Sequence, residues 1–241
     1  MSSASPIDQE ALRQRHAQVL AGIRTAEQAA GRAPGSVQLL AVSKLQPAAA
    51  VRALHACGQR AFGENYVQEA LAKRADLADL ELVWHLIGPL QSNKTRDVAE
   101  HFDWVHSVDR LKIAQRLSEQ RPIGLPPLQI CLQVNIDDEA SKAGVSPDDL
   151  PALAEAVLAL PNLRLRGLMC IPRPGNVAAL AALAKTAEAL RARLPALADA
   201  PFDTLSMGMS DDLAEAVAAG STLVRVGTAL FGARPPRDPQ S

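Results

Sequence analysis

A closed barrel of eight parallel strands alternating with helices, the (β/α)8 or TIM-barrel class of α/β fold, is the architecture this sequence predicts. Three observations predict it. Eight short apolar runs occur along the 241 residues, each followed by a stretch of helical period or by the end of the chain. The longer runs are apolar almost throughout instead of alternating, as parallel strands buried on both faces are. The number of units and the chain length suit a sheet closed on itself. An open, doubly wound sheet is the competing arrangement. No linker or low-complexity stretch marks a second domain. The expected organisation is a flexible N-terminus over 1–10, one barrel over 11–234 and a flexible tail over 235–241.

Residues 11–30 place Leu12, Val19, Ile23, Ala26 and Ala30 on one helical face, with Gly31 as a C-cap and Pro34 preventing continuation. This is an extra amphipathic helix ahead of the barrel. The first strand reads over 37–44, and the helix after it has Pro47 near its first turn and Gly58 just past its end. The second strand reads over 60–63 with a helix over 64–80, and the third over 82–88 with a helix from near Ser92. The fourth covers 104–107, with a helix through about Glu119. The fifth, over 128–135, is bounded by Pro126-Pro127, and Ser146 with Asp149 three residues on makes a capping-box start for the next helix. The sixth strand covers 163–171, with a helix over 177–194. The seventh covers 204–206, and Ser210-Asp211-Asp212 opens a helix that ends at Gly220. The eighth covers 223–226.

The hydrophobic fraction of 48%, charged fraction of 21% and net charge of -1 describe an ordinary globule with a sizeable core. They give no electrostatic reason to expect nucleic acid or an anionic membrane as partner. Cys57, Cys131 and Cys170 are widely spaced in apolar surroundings, which reads as buried thiols in a reducing compartment. The first eight residues lack the basic and apolar regions of a signal peptide, and no apolar run approaches the ~20 residues of a bilayer span. A cytoplasmic location is expected.

The first strand ends on Lys44. A lysine inside an apolar strand is costly, because its ammonium must lose water. At the strand's last residue the amine can emerge into a loop, where partial desolvation lowers its pKa and suits it to Schiff-base chemistry. The competing reading is a snorkelling lysine without a role. In a barrel the active face lies at the C-terminal strand ends, and phosphate often sits on the loops after strands seven and eight. Ser206-Met207-Gly208-Met209-Ser210 offers hydroxyls, a small backbone and a helix start; Gly227-Thr228 adds close backbone approach and another hydroxyl. Ser210 also reads as a plain N-cap and Gly227 as a plain turn. With Lys44, the set describes a phosphorylated aldehyde held as an imine, and pyridoxal 5′-phosphate is the common cofactor of that description. Arg225 needs an acceptor, either the pyridine nitrogen, which it would keep unprotonated, or a barrel carboxylate.

Ala41-Val42-Ser43-Lys44, Phe62-Gly63-Glu64-Asn65-Tyr66-Val67-Gln68-Glu69 and His85-Leu86-Ile87-Gly88-Pro89-Leu90-Gln91-Ser92-Asn93-Lys94 resemble the pyridoxal phosphate homeostasis family (the YggS/PROSC group). The likeness continues through Ser107-Val108-Asp109-Arg110, Ser141-Lys142-Ala143-Gly144, Arg166-Gly167-Leu168-Met169, Leu205-Ser206-Met207-Gly208-Met209-Ser210-Asp211-Asp212 and Val224-Arg225-Val226-Gly227-Thr228-Ala229-Leu230-Phe231-Gly232. Departures are single residues, such as Leu45-Gln46 and Leu86. The resemblance implies a barrel like the N-terminal domain of alanine racemase, with the cofactor on Lys44. It implies binding and supply of pyridoxal phosphate without an established turnover. It also implies Arg225 at the pyridine nitrogen, Gly227, Thr228 and Ser206 at the phosphate, and Asn65 near the ring.

A racemase needs a base on each face of the substrate–cofactor imine. In the related racemase the second base is a tyrosine from a separate C-terminal domain of the partner subunit. Here the sequence ends just after strand eight and its one tyrosine is Tyr66, so a carrier is expected over an amino-acid racemase. A structural or interaction module is the third reading, should Lys44 never be modified. Expected partners are pyridoxal phosphate and, as recipients, apoenzymes that use it; the chain is expected to be a monomer. Lys142, in the loop after strand five, reads either as a transient acceptor during handover or as a solvated lysine paired with Asp137 or Asp138. His85 reads as core packing or as a lining group. No His, Cys and carboxylate set has metal-ligand spacing.

Overall fold

The computed structural model describes residues 7–137, 143–198 and 200–232. Eight parallel strands close in sequence order: β1 (Gln38–Val42), β2 (Ala61–Glu64), β3 (Val83–Leu86), β4 (Trp104–Val108), β5 (Leu128–Gln133), β6 (Leu163–Met169), β7 (Thr204–Ser206) and β8 (Leu223–Val226). β1 pairs with β8 in the register Gln38↔Leu223 to Ala41↔Val226, which closes the barrel and excludes the open doubly wound sheet. Helices α2 (Ala48–Ala56), α3 (Val67–Asp76), α4 (Thr95–His101), α5 (Leu111–Gln120), α6 (Leu150–Leu158), α7 (Ala178–Arg193) and α8 (Leu213–Ala218) follow the first seven strands in turn. A four-residue helix, α9 (Thr228–Phe231), follows β8.

The extra helix α1 (Gln9–Ala29) starts at Gln9 because the Asp8 carboxylate caps it, accepting from Ala11 N–H at 2.9 Å. It is tied to the far end of the chain. Arg15 donates to Leu230 O at 2.7 Å, and Arg32 to Val217 O and Ser221 O at 3.0 and 2.6 Å.

Strand period sorts the side chains into two cores. In β1, Leu39 and Ala41 join the large cluster beneath the helices, whereas Leu40 and Val42 pack with Ile87 and Leu223 in a separate, smaller one. His106 of β4 reaches Ser206 of β7, strands that are not neighbours, so this row of residues lies inside the barrel.

Several strands stop before their apolar runs do. Lys44 lies two residues past β1, in a turn, rather than at the strand's last position. Beyond β5 only Val134 continues, as an isolated bridge to Val145. Ser146 does form the reciprocal bonds of a cap, accepting from Asp149 N–H at 3.1 Å and donating to its carboxylate at 2.7 Å, but the helix proper begins at Leu150. Among the described residues no helix is long and apolar enough to cross a membrane, and no His, Cys and carboxylate group could hold a metal ion.

Candidate functional site

The loops after β1, β2, β7 and β8 enclose a cavity of about 390 Å³ at the C-terminal end of the barrel. Lys44, Asn65, Ser210, Arg225, Gly227 and Thr228 all line it. Gln46 and Asp211 line it as well, though the sequence marks Gln46 only as a departure from the family pattern and Asp211 only as part of a helix start. Lys142 and Asp138 lie outside the described residues. Asp137 accepts from Arg173 N–H at 2.7 Å and from the Asn176 amide at 2.6 Å. Tyr66 is largely exposed at the start of α3 and is not part of the cavity wall.

Lys44 is presented by a tight turn. Gln46 N–H donates to Ser43 O at 3.0 Å, and Leu45, between them, has φ of 62°. That is the geometry in which glycine normally follows the second turn position. The turn rests on a buried ion cluster from β2 and α3. Lys73 Nζ donates to Ser43 O at 2.6 Å, Glu64 Oε1 at 2.7 Å and Glu69 Oε1 at 2.6 Å. Glu69 Oε1 also accepts from Leu45 N–H at 2.5 Å, and Glu64 Oε1 from the Ser43 hydroxyl at 2.6 Å. Glu64 Oε2 is buried with no hydrogen-bond partner. Burial outweighs the nearby ammonium and pushes the Glu64 carboxyl above the usual carboxylate range.

Arg225 forms the floor. It is buried, yet its acceptors are neutral: Ser206 O at 2.5 Å, Ser206 Oγ at 2.9 Å and Cys170 O at 2.9 Å. Among the described residues no carboxylate forms an ion pair with it, so the salt-bridge reading of Arg225 falls away. The guanidinium therefore brings an uncompensated charge to the cavity.

Ser206 is placed differently from the sequence expectation of a phosphate ligand. It is fully buried below the cavity and absent from its lining, because β7 turns this side chain inward rather than toward the mouth. Its hydroxyl accepts from Arg225 and lies 2.8 Å from His106 Nδ1, and His106 Nε2 lies 2.9 Å from His85 Nδ1. Arginine can only donate and the Ser206 hydroxyl can accept twice, so the column is satisfied with its protons running either way, from Ser206 through His106 to His85 or from His85 through His106 to Ser206. His85 stacks on Trp104 at 5.3 Å, so a polar column runs from the lower barrel to Arg225. Ser206 is thus a support of Arg225.

Burial pushes His85 down to about 3 and His106 well below the ordinary histidine value, so both are neutral at neutral pH. A histidine with a lowered folded-state pKa contributes stability that is present above its unfolded value near 6.5 and is lost as pH falls toward the folded one. Midpoints of urea unfolding should decline from pH 6.5 toward pH 4 in the wild type and decline less in His85→Gln. Parallel declines would contradict the assignment.

On the opposite wall, a Cβ at Gly227 would stand 3.3 Å from Val42 O, so a side chain there would crowd the β1–β8 seam beside Thr228. Ser210 is exposed and is not the helix cap. Asp212 occupies that position and its carboxylate accepts from Met209 N–H at 2.6 Å, which leaves Ser210 on the cavity wall.

A family model described as alanine racemase, N-terminal domain, matches residues 17–235. The alanine racemase of Corynebacterium glutamicum has the same fold, with a TM-score of 0.67 at 16% identity, over 95% of this chain and 63% of that one. This is the barrel class to which the fold conforms. The pyridoxal phosphate homeostasis protein of Pseudomonas aeruginosa is 67% identical over 220 residues, 90% of this chain and 94% of that protein. PipY of Synechococcus elongatus, whose structure is described with PLP bound, aligns with a TM-score of 0.79 at 43% identity, over 92% of this chain and all of that one. The chain belongs to the pyridoxal phosphate homeostasis protein family.

Proposed function

We propose that this protein binds pyridoxal 5′-phosphate covalently on Lys44, as a Schiff base, and serves to hold and supply the cofactor in vitamin B6 homeostasis. The observation that carries this reading is that one cavity is lined by a lysine, hydroxyl-bearing residues and an arginine without a carboxylate partner among the described residues. The solved relative with PLP bound and the name of the closely similar relative support it. The Lys44 nitrogen adds to the aldehyde carbon, a C=N bond replaces the C=O, and one water leaves. The bound group supplies an electrophilic, electron-withdrawing ring. Arg225, charged and fixed by three acceptors, would hold the ring nitrogen and disfavour its protonation, which would weaken the ring as an electron sink. Of the residues on the cavity wall, Ser210 and Thr228 would donate hydroxyls to the phosphate, Gly227 would let the backbone approach it, and Asn65 would serve the ring.

A carrier role is preferred to the alternative of an amino-acid racemase. Among the described residues the cavity wall holds one amine base, Lys44, and one carboxylate, Asp211, with no tyrosine. A monomeric cytoplasmic protein passing cofactor to apoenzymes completes the proposal. Purified protein mixed with pyridoxal phosphate should give a visible absorbance band that Lys44→Ala lacks, and borohydride should fix the adduct on the Lys44 peptide. No band and no adduct in the wild type would remove the cofactor from the reading. Interconversion of D- and L-amino acids dependent on Lys44 would replace the carrier with the racemase.

A further inference from the structure

The turn that carries Lys44 is costly and is held from outside. Among the described residues Leu45 is the single non-glycine residue with positive φ, a conformation that a branched side chain rarely adopts. Residues in such conformations persist where the surroundings over-determine them. Two hydrogen bonds do so here, and both come from α3: Leu45 N–H to Glu69 Oε1 and Lys73 Nζ to Ser43 O. They flank Lys44 on either side in the chain.

The Glu69 acceptor and the Lys73 donor of these bonds belong to the buried Lys73, Glu64 and Glu69 cluster. A buried ion group is a poor source of stability, since apolar side chains of similar volume commonly do as well. What such a group supplies is a fixed geometry. Lys73 could satisfy its charge with Glu64 and Glu69 alone, yet its third bond goes to the main-chain carbonyl just before Lys44. Glu69 likewise pairs with Lys73 and spends the same oxygen on the amide just after Lys44.

We propose that Glu69 and Lys73 are positioning residues for Lys44, a latch that holds the turn in its strained form and keeps the lysine on the cavity wall. The inference rests on the reading of Lys44 as the cofactor's anchor. The latch acts through reach rather than charge: the Glu69 oxygen must extend to Leu45 N–H. Glu69→Asp keeps the charge and loses that reach, whereas Glu69→Gln keeps an oxygen at the same distance and loses the charge. Glycine at position 45 would adopt the same φ without needing the latch.

The experiment measures the rate of visible-band formation with added pyridoxal phosphate and, in cofactor-free protein, hydrogen exchange at the Leu45 amide. Glu69→Asp should slow adduct formation about tenfold and lose protection of that amide. Glu69→Gln should stay within about threefold of wild type, and Leu45→Gly combined with Glu69→Asp should restore the rate to the same range. Wild-type adduct formation with an unchanged rate in Glu69→Asp would overturn the latch alone. So would a slow Glu69→Asp that Leu45→Gly fails to rescue, since loosened packing would only worsen with glycine. No adduct in the wild type would overturn the reading of Lys44 and the latch with it.

Discussion

Lys73→Met is expected to cost about 3–5 kcal/mol of folding stability, because it leaves two acidic side chains and a main-chain carbonyl in the cluster without their cation. In a chain of this size that corresponds to a Tm lower by roughly 10 °C. The loss should depend on pH. The Glu64 carboxyl is already raised by burial, and Lys73 is the main influence opposing that rise, so its removal raises it further. A carboxyl raised in the folded state contributes stability that is present below its unfolded value near 4.5 and lost as pH rises through the folded one. The deficit of Lys73→Met should therefore be smaller at pH 5 than at pH 8. Urea denaturation at the two pH values measures it, and equal deficits would show that Glu64 stays ionised.

Gly167→Ala is expected to be worse, at more than about 4 kcal/mol and little soluble protein. Gly167 of β6 is registered opposite Thr204 of β7, and a Cβ built on it would lie 1.7 Å from Thr204 O and 2.6 Å from the carbonyl carbon. No rotamer relieves a contact with backbone, so the two strands must separate. Gly22, inside α1, is the control. An added Cβ there meets nothing within 4 Å, and Gly22→Ala should gain roughly 0.5–1 kcal/mol from helix propensity. Comparable melting temperatures for the two variants would refute the clash.

The sequence pattern carried the architecture further than it carried the site. β7 and β8 coincide residue for residue with the ranges read from the sequence. β1, β5 and β6 end before their apolar runs do, although Ser43, Val134 and Cys170 stay buried and each still donates its N–H to the neighbouring strand. α9, at four residues, is shorter than the period needed to recognise a helix. Lys44, Arg225 and Gly227-Thr228 stood out because each is unusual for its surroundings. Ser206 and Ser210 look alike as text, and only the direction of β7 separates the buried hydroxyl from the one on the cavity wall. Lys73 and Glu69 have only the i,i+4 spacing of any helical pair; their bonds to Ser43 and Leu45 exist only once α3 lies against the turn after β1. His106 carries no local signal at all, because its partners come from β3 and β7.

The cavity sits across the seam where the first strand meets the last. Lys44 comes from just beyond β1, whereas Ser210 comes from the loop after β7 and Arg225, Gly227 and Thr228 from β8 and the residues just past it. Neither half is a binding site by itself, and the halves meet only when Gln38 to Ala41 pair with Leu223 to Val226. A chain still emerging during synthesis, or one whose barrel has sprung open, has nowhere to hold a ligand that bridges the two. Occupancy would then certify a finished fold, and the ligand would act as a clasp on a closure that joins opposite ends of the chain, strengthening it in proportion to the logarithm of ligand concentration.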